Sequence, residues 1–224
     1  MDIKVFVIHY KKLTERKAFI IEQFTRFNIT NYEFISIDRD EINNYDLSIF
    51  SNEFNRPDNT HSVAVLLSHI HAITEIKNNY DKAIIFEDDV IFSKDFSEKL
   101  ERILKELPST FDMAFLGDGC WLHIPPHLIT PHQLVYRKCV EPTDWGGNGI
   151  TRCMDSYIVN KKCAITICNY IDNVVRQVIA KRINCNSDWW FNIVGRDCNL
   201  EAYWIEPTIV SQGSFNSLFK CSYT

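Results

Sequence analysis

The chain has 224 residues, 46% apolar and 13% aromatic, enough for a packed core in one large domain or two small ones. Its 24 basic and 29 acidic residues leave a net charge of −5, which gives no electrostatic reason for a nucleic-acid partner. No run approaches the roughly 18 apolar residues of a membrane span, and MDIKVFVIHYKKL lacks a secretory signal's long apolar stretch, so a soluble, cytoplasmic protein is expected.

IKVFVIHY (3–10) reads as a buried first strand carrying His9 near its end. Thr14 stands where an N-cap is expected, with Glu15 in the first turn and Phe19, Phe24 and Phe27 as an apolar face. YEFISID (32–38) alternates as a second strand ending on Asp38, so the opening is strand–helix–strand, the unit of a parallel sheet. Residues 39–60 are polar and irregular, with a turn signal at Pro57-Asp58-Asn59. The spacing of Val63, Leu66, Leu67, Ile70 and Ile73 predicts a helix over 62–80, which carries Ser68, His69 and His71. It leads into a third strand, 82–86, and then into three consecutive acids, Glu87, Asp88 and Asp89.

DFSEKLERILKEL (95–107) reads as an amphipathic helix stopped by Pro108, and FDMAFLGDG (111–119) as a fourth strand. Residues 120–151 hold four of the seven prolines and three of the seven glycines and read as long loops around a short strand near 133–140. Within them, Gly146-Gly147-Asn148-Gly149 beside Trp145 is expected to form a mobile lid. DSYIVN (155–160) resumes strand character, 161–183 gives another helix, NSDWW (186–190) opens a further one, and 201–212 supplies the last strands. With no repeat and no Gly/Ser linker, one α/β domain over 1–224 is the economical reading. None of the eight cysteines forms a Cys-x-x-Cys pair, so a zinc ribbon is excluded and reduced, mostly buried thiols are expected.

Carboxylates at a strand end in an open sheet sit at the edge where ligands bind. Acids spaced i, i+2 point to the same side of an extended backbone, so Glu87 and Asp89 can reach one ion while Asp88 faces away. A hard divalent cation with a phosphate-bearing substrate would balance these charges. The plain alternative is a solvated turn that merely ends the strand.

Read together with its neighbours, the acid triplet resembles a known family, glycosyltransferase family 25, over about residues 3–215. YKKLTERK (10–17) looks like that family's Leu-x-x-x-x-Arg segment, LLSHIHA (66–72) its Leu-Ser-His helix, and IIFEDDVIF (84–92) its Glu-Asp-Asp motif. FDMAFLGDG, DSYIVNKKCA (155–164), NSDWW and EPTIVSQGS (206–214) resemble its later segments in order. The chain departs from the family pattern at His9-Tyr10 and at Asp38-Arg39.

The resemblance implies a GT-A-like fold, with a Rossmann-type, mostly parallel sheet flanked by helices. It makes residues 1–119 the nucleotide-sugar-binding half and 120–224 the acceptor-side half. It implies an inverting transfer of a sugar, galactose or glucose, from a UDP-sugar to a glycan or glycoprotein hydroxyl, dependent on Mn²⁺ or Mg²⁺. Glu87 and Asp89 would hold the metal in the manner of an Asp-x-Asp motif, and Asp188 would be the catalytic base. Asp188 as a simple N-cap is the alternative. His9, Arg16, Asp38, Ser68, His69, Asp88 and Gln212 are expected around the donor; for Ser68 and His69 the competing reading is helix packing. Two other functions share these features: a nucleotidyltransferase, which releases pyrophosphate, and a GT-A-like domain that binds donor without turnover. A bacterial glycan enzyme or a viral protein fits better than an ER-resident collagen enzyme, since no Lys-Asp-Glu-Leu-like tail is present.

Overall fold

The computed structural model describes residues 3–51, 59–119, 121–138, 149–178, 183 and 186–214. β-Branched and aromatic residues suit a pleated, buried backbone, and KVFVI forms β1 (Lys4–Ile8), buried along its whole length. Helix α1 (Thr14–Arg26) follows and buries Arg16, Ile20 and Phe24, one residue per turn. Leu13, not Thr14, holds the N-cap position, and no side chain caps it. β2 (Tyr32–Ile35) returns parallel to β1. It stops short of Asp38, which precedes a 3-10 helix over Arg39–Asn44 instead of ending a strand.

α2 (Thr60–Asn79) crosses back to β3 (Lys82–Glu87), which lies parallel to β1 on its other side. The rest of the chain adds β4 (Val90–Phe92), α3 (Phe96–Glu106), β5 (Met113–Phe115), β6 (Val135–Lys138) and β7 (Ser156–Asn160). Then come α4 (Lys161–Tyr170), a π turn over Ile171–Val175 where one continuous helix was expected, α5 (Ser187–Asp197), β8 (Ala202–Ile205) and β9 (Val210–Gln212).

Seven strands make one sheet in the order β2-β1-β3-β7-β5-β8-β6, and β4 pairs with β9 in a separate ribbon. β1, β2, β3, β5 and β8 run in one direction and β6 and β7 in the other, so the expected mostly parallel α/β sheet is present. Both faces are covered. Phe6, Ile85, Tyr157 and Trp204 point into a core shared with α2, α4 and α5, while Val5, Val7, Ile84 and Phe86 meet α1 and α3 on the other side. The alternation of strand residues thus divides one sheet between two apolar layers.

Among the described residues, no helix is long and apolar enough to cross a membrane. Cys153, Cys163, Cys168 and Cys198 are free thiols. The other four cysteines, the expected lid at Trp145 through Asn148 and the start of the Pro57 turn lie outside the described residues.

Candidate active site

The chain leaves β1 toward β2 on one side, and β3 lies on the other, with Ile8 opposite Glu87. In an open α/β sheet such a reversal opens a crevice at the carboxyl ends of the strands. A pocket lies there. Its walls include His9 and Tyr10 after β1, Arg16 of α1, His61 and Ser68 of α2, and Glu87, Asp88 and Asp89 after β3. Asn186, Ser187 and Asp188 at the start of α5, and Gln212 and Ser214 around the end of β9, complete it.

The acid triplet does not continue the strand. β3 ends at Glu87, and Asp88 and Asp89 form a turn because β4 peels away to pair with β9. The backbone is not extended through Asp89, so the same-side placement expected for Glu87 and Asp89 from i, i+2 spacing does not apply. Asp88 and Asp89 share Arg16, while Glu87 meets Gln212 and His69. Asp88 Oδ2 lies 2.7 Å from His9 Nδ1, and its Oδ1 accepts from Arg16 Nη1 at 3.1 Å. Asp89 lies 3.7 Å from the same Nη1 and accepts a hydrogen bond from the Ser214 hydroxyl. Ser214 in turn accepts from Arg16 Nη2 at 3.0 Å, and Gly213 N–H donates to the Asp89 carbonyl at 2.7 Å. Glu87 accepts from Gln212 Nε2 at 3.4 Å, and His69 Nε2 stands 3.5 Å from its other oxygen.

Asp89 is 2% exposed, and its Oδ1 has no hydrogen-bond partner. Burial, followed by the charge of Glu87, pushes its carboxyl up to about 6.

One acid outside the expected set joins them. Asp155 precedes β7, and its carbonyl accepts from Glu87 N–H at 2.7 Å. Burial above all, and then Glu87, pushes its carboxyl well above the usual range. Sequence reading took DSYIVN for a strand and passed over its first residue; the available signal was an acid heading an apolar run. Ser214 and His61 were also missed. Burial lowers the His61 imidazole below its ordinary value.

The other expected residues divide. Asp188 is the second residue of α5, and Asn186 occupies the N-cap position, so Asp188 lines the pocket without being the cap. Its neighbour Trp189 is 56% exposed, whereas Trp190 is buried in the core. Ser68 faces the pocket and donates to the Ala64 carbonyl at 2.9 Å. His69 is fully buried behind Glu87, with Nδ1 2.9 Å from the Tyr157 hydroxyl, so its place is packing and support, as the competing reading had it. His71 is exposed. Asp38 is not in the pocket wall; it is buried and paired with Lys11 at 3.3 Å. Arg39 takes the nearer position, its guanidinium 4.9 Å from the Tyr10 ring.

Of the four clustered acids, Asp88 and Asp89 meet the Arg16 guanidinium, Glu87 faces Gln212 and His69, and Asp155 accepts from Ser156. Among the described residues, no three His, Cys, Asp or Glu side chains form a complete metal site. Glu87 with Asp89 and its orphaned oxygen still suit a hard cation whose remaining ligands are substrate phosphate oxygens and water, the usual mode for Mg²⁺.

Comparison with known proteins gives the following. The model of glycosyltransferase family 25 (LPS biosynthesis protein) matches residues 2–127, just over half of the chain. R655 of Acanthamoeba polyphaga mimivirus, a protein named as a glycosyltransferase, is 26% identical over 121 residues. That match covers 52% of this chain and 37% of R655, so the chain spans little more than a third of that relative. Among solved structures, A197 from STIV matches at 15% identity and TM-score 0.40, covering 94% of this chain and 83% of its own. Mouse xyloside xylosyltransferase 1 in its apo form matches at 11% identity and TM-score 0.42, covering 86% and 69%.

Proposed function

Because the chain belongs to glycosyltransferase family 25, we propose that it moves a sugar, galactose or glucose, from a UDP-sugar to a hydroxyl of a glycan or glycoprotein, with inversion. The observation that supports this reading best is the meeting of Glu87, Asp89 and Asp188 in one pocket at the carboxyl edge of the sheet. Glu87 and Asp89 would hold Mn²⁺ or Mg²⁺. When bound, such an ion neutralises the diphosphate leaving group.

The chain's own residues account for the rest. Arg16 fixes the acid turn by bridging Asp88, Asp89 and Ser214. His9 braces Asp88 from β1, and His69 backs Glu87 from α2. Tyr10 and Arg39 offer a flat, cationic surface for the nucleoside end. Asp188 takes the proton of the acceptor hydroxyl as that oxygen bonds to the anomeric carbon and the bond to diphosphate breaks. Trp189 offers an exposed ring beside it for an acceptor sugar.

The test is a panel of nucleotide-sugars with Mn²⁺, in which released UDP and pyrophosphate are both measured. UDP release is expected. Pyrophosphate would instead identify a nucleotidyltransferase, and a lack of both products and donor binding would end the enzyme reading. Asp188→Asn is expected to cut transfer by about 10²–10⁴-fold while UDP affinity stays within about twofold. Equal losses in UDP affinity and transfer would remove Asp188 from the role of base.

A further inference from the structure

Resting on the reading of the pocket as a cation-dependent donor site, we propose that Asp155 is a third acid of that site. It is a positioning residue behind Glu87 that strengthens cation binding without being one of the two ligating acids.

Its placement follows from the sheet. β7 runs antiparallel to β3 with Ser156 opposite Phe86, which sets Asp155 opposite Glu87. Residues directly opposite in an antiparallel pair project to the same face with their Cβ atoms about 5 Å apart. The alternation agrees: Ile85 and Tyr157, two residues along from Glu87 and Asp155, both point into the core shared with α2. Like charges at such a pair destabilise a sheet unless something positive lies between or above them.

Asp155 is 1% exposed, and its Oδ1 has no hydrogen-bond partner. Its Oδ2 accepts from the Ser156 hydroxyl at 2.9 Å. The fold also leaves room for this carboxyl. A Cβ on Gly117 would lie 2.2 Å from Asp155 Oδ2, so the absence of a side chain there seats the acid. Nearby cationic groups are already engaged, Arg16 with Asp88 and Ser214 and Arg152 with Glu206. Two buried acids, Asp89 in the pocket wall and Asp155 behind Glu87, therefore each keep an unpartnered oxygen. A buried unpaired acid weakens the empty protein and becomes favourable once a cation sits among its neighbours.

The experiment compares wild type, Asp155→Asn and Asp89→Asn by Mn²⁺ binding, followed by electron paramagnetic resonance with and without UDP, and by melting without metal. Asp155→Asn keeps the shape. It is expected to melt at or above the wild-type temperature while binding Mn²⁺ about 10–100-fold more weakly, the effect typical of an outer-shell partner. Wild-type Mn²⁺ affinity in Asp155→Asn, with Asp89→Asn impaired, would overturn the role of Asp155 and leave the donor-site reading standing. No Mn²⁺ binding by wild type in either arm would overturn both. Should the Asn variant fail to fold, Gly117→Ala displaces the Asp155 carboxyl while keeping the acid. Unchanged Mn²⁺ affinity in that variant would equally refute the proposal.

Discussion

Arg152 and Glu206 are as deeply buried as Asp89 and Asp155, yet the two groups are treated in opposite ways. The Arg152 guanidinium donates to the Leu122 carbonyl at 2.6 Å, to the Ile205 carbonyl at 2.7 Å and to Glu206 at 2.6 Å. It lies 4.9 Å from the Trp204 ring, and Glu206 also accepts from Ile124 N–H at 3.3 Å. The acids after β3, with Asp155 ahead of β7, pair with a guanidinium only at Asp88 and Asp89, through Arg16, and keep two orphaned oxygens. In the first cluster the interior charge is matched by protein alone and ties three loops together. In the second it is left for something else to match. Burial of charge by itself therefore says little about function; the state of its partners separates architecture from a binding site.

The sharpest way to break this contrast is Arg152→Ala. It leaves the buried Glu206 without its guanidinium, with only Ile124 N–H and His123 beside it, and is expected to cost about 3–5 kcal/mol in denaturant unfolding. A loss below about 1 kcal/mol would show that the two clusters are not different in kind. Glu87→Gln should act in the opposite direction. Relief of the cross-strand repulsion with Asp155 is expected to leave metal-free stability unchanged or raise it by about 0.2–1 kcal/mol, while the Mn²⁺-induced rise in melting temperature disappears.

The smallest effect is reserved for a surface pair. Ser48 first, and Arg176 at 2.5 Å, hold Asp46 at about 2, below its ordinary value. A lowered carboxylate contributes stability above the unfolded pKa of 3.8 and loses it as pH falls through about 2. Asp46→Asn is thus expected to cost about 0.3 kcal/mol at pH 7 and less than about 0.1 kcal/mol at pH 2, read by unfolding curves at both.

Local patterns in the chain carried much of the fold. The continuous apolar run of β1 and the apolar stripe of α2 depend on residues close in sequence, and both elements lie where those patterns put them. The acids were legible as a site for the same reason: three charges at the end of an apolar strand stand out locally. Their geometry was not. The turn at Asp88 and Asp89 exists because Val90 pairs with Gln212, and no local pattern reports a partner so distant. Asp155 escaped for a related reason, since only the antiparallel insertion of β7 brings it beside Glu87. Asp38 misled in the other direction: it ends an alternating run in sequence, but Lys11 claims its carboxylate.

The bond between Ser214 and Asp89 joins residues 125 positions apart. Proteins are made from the N-terminus onward, so the β3 acids are synthesised long before the segment that clasps them. During that interval β1, β2 and β3 can already pair, but the acid turn lacks Gly213, Ser214 and the β9 strand. A nascent chain can thus acquire a sheet well before it acquires a finished pocket. Competence arrives late in synthesis, when the distant contact closes and a loose acidic bend becomes a defined one.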